Sequence, residues 1–348
     1  MSPRTPTALR PTRRAVIAAA APVAAAAVLS PRIAVAAETP GQEMLARTTA
    51  LLAKLEPAGR SAATFDFDGR RRRAWNFMLG SRKAPGVALE DMNEDQKVAT
   101  LDLLRSGLGE EGFLKAERIM LQQDIMRDEW GKGSPDRNRE RFSIQIFGTP
   151  SADAPWGWRF EGHHLSITFT LVGTEVVSVT PSAFSSEPNP VPSGPHKGLV
   201  VLQEENLGRA IFGDLSPENR RRALISERSL GNITTTAGRE DRFGERQGIP
   251  LADLPASQAE DITRLIDVFA SDNYVPALRT READRARSGD LMSARFGWAG
   301  DDRGEGSIYY RIHGDTFVIE FATLRGQPLH HHAVRHDLER NFGNHRNL

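Results

Sequence analysis

The chain has 348 residues, with 45 basic and 45 acidic side chains, nine histidines and no cysteine. Disulfides and thiolate metal sites are therefore excluded. The length allows one large domain or two small ones.

Residues 1–37 read as a targeting segment rather than as fold. Arg4, Arg10, Arg13 and Arg14 form a basic start, Ala15 to Leu29 is an apolar run, and Ala34-Val35-Ala36 offers a small-residue cleavage pattern. The run is short for a bilayer span. Thr12-Arg13-Arg14-Ala15-Val16-Ile17 resembles the twin-arginine export signal. We therefore expect the twin-arginine machinery as a partner and a periplasmic or secreted destination, with no stable membrane anchor after cleavage. Cleavage removes five arginines and no acids, leaving 40 basic against 45 acidic residues. A mildly acidic chain lacks the global basic footprint of a nucleic-acid binder.

Residues 38–348 read as a single α+β domain. A helical N-terminal portion, 38–130, packs on a mainly antiparallel sheet carried by 141–348. In the helical portion, Gly41 to Leu55 has helical apolar spacing. Asn93 caps a second helix with Gln96 at its third position, and Glu110 to Trp130 forms a third. The run Arg70-Arg71-Arg72-Arg73 reads as a solvated helix face, with an anion cradle as the alternative.

Strands follow. Arg141 to Phe147 alternates apolar and polar residues, Trp158 to Val172 reads as one strand, and Glu175 to Val179 as another. Pro181 to Pro195 holds five prolines and reads as a stiff loop, either a site wall or a surface crossover. Helices return at Glu204, at Ser216-Pro217-Glu218 and at Ser257, where Glu260 completes a capping box. Ser293–Trp298, Ser307–His313 and Thr316–Phe321 are strands, the last two joined by a tight turn at His313-Gly314-Asp315. Glu204-Glu205 reads as helix capping, and Asp337 beside Arg335 and His336 as a structural ion pair. No internal repeat emerges from this pass.

The chemistry concentrates in two histidine clusters. All nine histidines lie at or beyond position 163, and five fall in His163-His164 and His330-His331-His332. Strand alternation makes His330 and His332 co-facial and turns His331 away. Imidazoles with a carboxylate suit zinc, iron or copper. We expect His163, His330 and His332 as ligands to a divalent transition metal, zinc first, with Glu161 as ligand or general base and His164 beside it as a catalytic group. A metal-free alternative is acid–base work by His163 or His164 with Glu161. The function expected is a metal-dependent enzyme, a hydrolase acting on a small molecule. The alternative is a non-catalytic periplasmic metal- or small-ligand-binding protein. Gly-x-Ser-x-Gly, Walker A, Rossmann and His-Glu-x-x-His patterns are absent.

An ordered set of motifs runs through the chain. It comprises Trp75, Phe147-Gly148-x-Pro150, Trp156-Gly157-Trp158-Arg159-x-Glu161-Gly162-His163-His164, Thr180-Pro181-x-x-Phe184, Tyr309-Tyr310-Arg311-Ile312-x-Gly314, a C-terminal His-x-His-x-Val and Phe342-Gly343. This set, over roughly residues 45 to 343, resembles the family called domain of unknown function 3500. The resemblance implies an exported bacterial protein and carries no reaction with it. The family tail reads His-x-His-x-Val-Trp-Arg-Asp, and here Arg335 and His336 stand at its Trp and Arg positions.

Overall fold

The computed structural model describes residues 38–80, 82–131, 136–239, 241–300 and 306–343. The export signal read at residues 1–37 lies outside them. Residues 38–348 form one compact unit of α+β class.

The first half of that unit opens with α1 (Pro40–Lys54), α2 (Pro57–Ala63), β1 (Thr64–Phe65), α3 (Arg70–Arg73) and β2 (Val87–Ala88). A 3-10 turn at Leu89–Asp91 leads into α4 (Glu94–Gly107) and α5 (Glu110–Asp128). Five strands follow: β3 (Ser143–Phe147), β4 (Pro155–Gly162), β5 (Leu165–Val172), β6 (Glu175–Ser178) and β7 (Ser182–Phe184).

The second half repeats this order without counterparts of α3 and β6. It runs α6 (Glu204–Asp214), α7 (Pro217–Ala223), β8 (Leu224–Ser226) and β9 (Ile249–Pro250), then a 3-10 turn at Leu251–Asp253. Then come α8 (Ala256–Ala270), α9 (Pro276–Ala286), β10 (Arg295–Gly300), β11 (Ile308–His313), β12 (Phe317–Leu324) and β13 (Gln327–Asp337).

The reading of no internal repeat is thus corrected: the chain folds as two copies of one unit. The sheet order is a palindrome, β1-β3-β4-β5-β7-β13-β12-β11-β10-β8. β1 and β8 run parallel to β3 and β10, while β2 and β9 run antiparallel to the same two strands. Matching details recur at matching positions. Gly86 and Gly248 adopt φ of 102° and 103°. A side chain on either would put its Cβ 2.2 Å from a carbonyl oxygen, that of Ile144 or of Phe296. Leu89 donates to Phe142 O at 3.0 Å, and Leu251 donates to Ala294 O at 2.9 Å. The sequence trace is faint. Gly86-Val87-x-Leu89-x-Asp91-Met92 parallels Gly248-Ile249-x-Leu251-x-Asp253-Leu254, a match too short to register as a period.

The halves join about a local two-fold. β7 and β13 pair antiparallel through Val334↔Ala183 and Arg335↔Ser182. On the helical side, Leu108 and Tyr274 form an isolated bridge, with Gly109 N donating to Asn273 O and Val275 N to Gly107 O, both at 3.1 Å. The sheet therefore runs unbroken from one half into the other.

Its two faces differ. Alternate residues such as Trp158, Phe160, Ile167, Phe169, Tyr310, Ile319 and Phe321 pack with Met44, Leu51, Leu104, Ile262 and Phe269 of the helices in the main core. The opposite face carries buried Arg159, Thr168, Arg311 and Glu320. There a smaller cluster of Trp75, Phe77, Ile233, Tyr309, Val334 and Phe342 covers the sheet.

Several local expectations change. Trp158–Val172 is two strands, β4 and β5, with His163-His164 as the turn between them. Within the proline-rich segment, Ser182–Phe184 is a strand at the middle of the sheet. α8 begins at Ala256 after Pro255 and has no side-chain cap, so Ser257 and Glu260 form no capping box. Arg72 is buried and donates to Phe67 O at 2.7 Å and to Phe342 O. Asp337 pairs with Arg285 at 2.8 Å, while Arg335 pairs with Glu282 at 2.8 Å. Glu204 is buried against Lys115 at 3.0 Å rather than acting only as a cap. The Asn93–Gln96 capping box and the Ser216 cap of α7 are present.

Candidate metal centre

The site sits where the β4–β5 turn meets the start of β13. Gly162 and Leu165 close the turn. His164 occupies its second position at φ 70°, a left-handed conformation that costs a non-glycine residue roughly 1–2 kcal/mol. The turn is held from both sides, because His164 N donates to Phe77 O at 2.7 Å and Ser185 N donates to His164 O at 2.8 Å. The corresponding turn in the second half uses Gly314, Asp315 and Thr316. The one histidine beside it, His313, is the last residue of β11, so the corner does not require two adjacent histidines.

β13 supplies the other imidazoles. His330 and His332 lie on one face, and His331 on the other. His331 receives a hydrogen bond from the Asn189 amide at Nδ1 (3.2 Å), with its Nε2 3.0 Å from both Pro328 O and Glu205. It takes no part in the cluster.

Three Nε2 atoms converge. His164 Nε2 lies 2.8 Å from His330 Nε2, which lies 3.1 Å from His332 Nε2. Ligands on a tetrahedral ion at zinc–nitrogen distances stand about 3.3 Å apart. The far side of two rings is fixed by oxygen. His332 Nδ1 meets Asn232 Oδ1 at 2.7 Å, and His330 Nδ1 meets Gln327 Oε1 at 3.0 Å and Glu187 Oε2 at 3.3 Å. An oxygen acceptor at Nδ1 requires N–H there, which leaves a lone pair at each Nε2. Two lone pairs facing each other at 3.1 Å repel unless a cation lies between them. His164 Nδ1 is buried with no partner.

These rings are neutral near pH 7. Burial lowers His330 to about 4 and holds His163, His164 and His332 well below the ordinary histidine range. Neutral imidazole is the ligand form.

His163 stacks on His164 with ring centroids 3.7 Å apart and lies 6.5 Å from His330. Its Nδ1 faces the Arg137 guanidinium at 2.5 Å and Gln123 Oε1 at 3.0 Å. His163, His164, Glu187 and His330 each offer a ligand atom within 4.8 Å of the others. This buried group can hold a metal ion. His332 falls outside that set by mutual distance, yet its Nε2 stands nearer to His330 Nε2 than most of the set requires. The three Nε2 atoms converge on one another, whereas His163 Nδ1 faces the Arg137 guanidinium.

Glu161 is not brought to this group. Its carboxylate accepts from Asn76 N at 2.7 Å, Ser166 Oγ at 2.9 Å and Gln145 Nε2 at 3.4 Å, and lies 3.7 Å from the Arg159 guanidinium. Burial pushes its pKa up, and Arg159 and these donors pull against that. It is a structural anion on the loop-covered face. Because His163 and His164 form the turn, strand alternation does not carry from Glu161 to His163. Glu187 is the carboxylate at the histidines. It comes from the proline-rich segment, read as a site wall or crossover, with no local pattern to single it out. Gln123, Arg137, Asn232 and Gln327 likewise arrive from separate elements.

Fold and group together define an α+β protein of two similar halves with a buried histidine–carboxylate cluster at their seam. The chain belongs to the family described as Protein of unknown function (DUF3500), whose profile matches residues 37–344. No curated protein and no solved structure matches it.

Proposed function

We propose that the protein holds one divalent transition metal at His164, His330 and His332, with the Glu187 carboxylate close by, and uses it to hydrolyse a small-molecule substrate. The observation that carries this reading is the meeting of three Nε2 atoms, two with lone pairs set by oxygens at Nδ1. Zinc is the first assignment for nitrogen and oxygen donors without thiolate, and iron and copper share that preference. When bound, the ion supplies a Lewis acid that polarises a substrate carbonyl or phosphoryl group. Asn232 and Gln327 hold their rings in register, and the Glu187 carboxylate, within 4.8 Å of ligand atoms of His163, His164 and His330, is the group that would take a proton from water.

A non-catalytic binding protein is the second reading, and closure of the site favours it. His163, His164 and His332 are buried, and the side chains of His330 and Glu187 are only 13% and 12% exposed. Elemental analysis of the native protein separates these from no metal at all. About one zinc, iron or copper per chain, lost in a His330→Ala/His332→Ala double variant, supports a metal site. Protein that comes without metal and takes up none from micromolar zinc sinks both. Metal-dependent turnover of ester, amide or phosphoester substrates, lost in Glu187→Gln with metal retained, favours the enzyme.

A further inference from the structure

Arg137 stands against His163 of the histidine group and uses only part of its guanidinium. Nη1 is engaged, by Gln123 Oε1 at 3.0 Å and His163 Nδ1 at 2.5 Å. The Arg137 carbonyl is itself fixed, accepting from Arg127 Nη1 at 2.6 Å. Nε and Nη2 have no hydrogen-bond partner among the described residues, and neither is among the buried unpartnered atoms. They therefore face accessible space.

A structural arginine this close to buried imidazoles is expected to pair with a carboxylate. Here its two contacts at Nη1 are neutral groups, on α5 and on the β4–β5 turn. Glu187 is the acidic charge that acts on Arg137, and it also faces His330. With a divalent ion at the histidines, the local balance is two positive charges plus one from Arg137, against one negative from Glu187. The surplus is positive, in a partly buried place where charge is weakly screened. The Nε and Nη2 edge of a guanidinium matches two oxygens of one carboxylate or phosphate group.

We propose that Arg137 binds an oxyanion of the substrate, a carboxylate or phosphate group, through Nε and Nη2. The substrate is thereby anionic, and its reacting bond is presented to the histidine group from the Glu187 side. Arg137 is a specificity-determining residue and not a metal ligand. This rests on the metal reading for the identity of its neighbour, but anion binding can be measured with or without metal.

The test uses the mature protein, wild type and with Arg137→Gln or Arg137→Lys. Each is titrated with inorganic phosphate and with malonate by calorimetry, before and after zinc loading, and zinc content is measured first. The expected result is that at least one anion binds wild type tenfold or more tightly than Arg137→Gln. Arg137→Lys, which lacks the fork, recovers only part of the affinity, and all three forms hold the same zinc. A loss confined to phosphate assigns a phosphate group, and a loss confined to malonate assigns a carboxylate. Equal affinity of wild type and Arg137→Gln for both anions overturns the proposal, as does no measurable binding of either to wild type. Absence of zinc uptake in every form overturns the metal reading instead, and the metal-free titrations then decide the anion site alone.

Discussion

At the scale of single residues, Glu161 and the histidines part company. Glu161 accepts from three donors, of which Ser166 and Gln145 are buried and Asn76 partly so, and faces buried Arg159. Removing its charge takes a nearby negative charge from buried Arg159, whose bonds to Thr168 Oγ1 and to the Arg71 and Arg72 carbonyls remain, so Glu161→Gln should cost about 1–3 kcal/mol of stability. It should leave metal content unchanged. His164→Ala should instead lose metal, and it keeps the left-handed strain because alanine is no better suited to φ 70°. Calorimetric unfolding and elemental analysis on the same two variants check this, and metal loss in Glu161→Gln would return that residue to the site.

Two other buried groups add to the pH response, His336 acting in the same direction as the buried histidines of the cluster. Burial lowers His336 to about 4. Its folded pKa lies below the unfolded value near 6.5. The stability it contributes is therefore present above about 6.5 and is lost as pH falls toward 4. Glu320 is pushed up by burial, but Arg311 and the hydroxyls of Thr235, Tyr309 and Thr234 bring it down to about 2. Its contribution, on the order of 3 kcal/mol, is present above roughly pH 4.5 and fades toward pH 2. Metal-free protein should lose stability in two windows, first below about 6.5 and again below about 4.5. Glu320→Gln should flatten the second. Urea midpoints between pH 7.5 and 3 measure both, and a wild-type midpoint that stays constant across that range contradicts the assignment.

At the scale of elements, the repeat makes its own forecast. Gly86 and Gly248 hold the same conformation against the same strand position, one in each half. Alanine at either meets a carbonyl oxygen and a disfavoured φ. Each substitution should cost more than about 2 kcal/mol, and the two costs should agree within about 1 kcal/mol. Chemical unfolding of the single variants tests this. A large cost at one glycine and none at the other would mean the halves do not use these turns alike. How much of this was legible in the chain varies by element. Helix caps and amphipathic strands were readable because their signals are local, as at Asn93 with Gln96 and in β3. The turn at His163-His164 was not, because both residues can sit in a strand and only the pairing of Gly162 with Leu165 makes them a corner. The strand at Ser182–Phe184 was masked by flanking prolines, and it exists because β5 and β13 leave a place between them.

At the scale of the molecule, an unbroken sheet crosses the two halves, sealed by Val334↔Ala183 on one layer and Leu108↔Tyr274 on the other. The halves should unfold together. Differential scanning calorimetry of the mature protein should give one transition whose calorimetric and van't Hoff enthalpies agree, and two resolved transitions would count against a shared core. We also propose export through the twin-arginine route, on the strength of Arg13-Arg14 and the apolar run that follows. Replacing both arginines with lysine should retain precursor in the cytoplasm, as read by fractionation, and normal export of that form would sink the proposal.

The sequence by itself determined the α+β class, most helix starts, the co-facial His330 and His332, and the family. Each of these depends on neighbours within a few positions, where periodicity and capping act. It also marked two histidine clusters as chemistry that no strand or helix requires. Tertiary structure alone decided that the clusters meet, that His164 rather than His163 points its Nε2 at His330, and that Glu187 replaces Glu161 as the nearby carboxylate. The reason is distance along the chain. His164 and His330 are 166 residues apart, and what joins them is the pairing of β7 with β13 at the seam of a duplication whose halves share few side chains. Backbone hydrogen bonding can carry such a repeat whatever side chains stand on it.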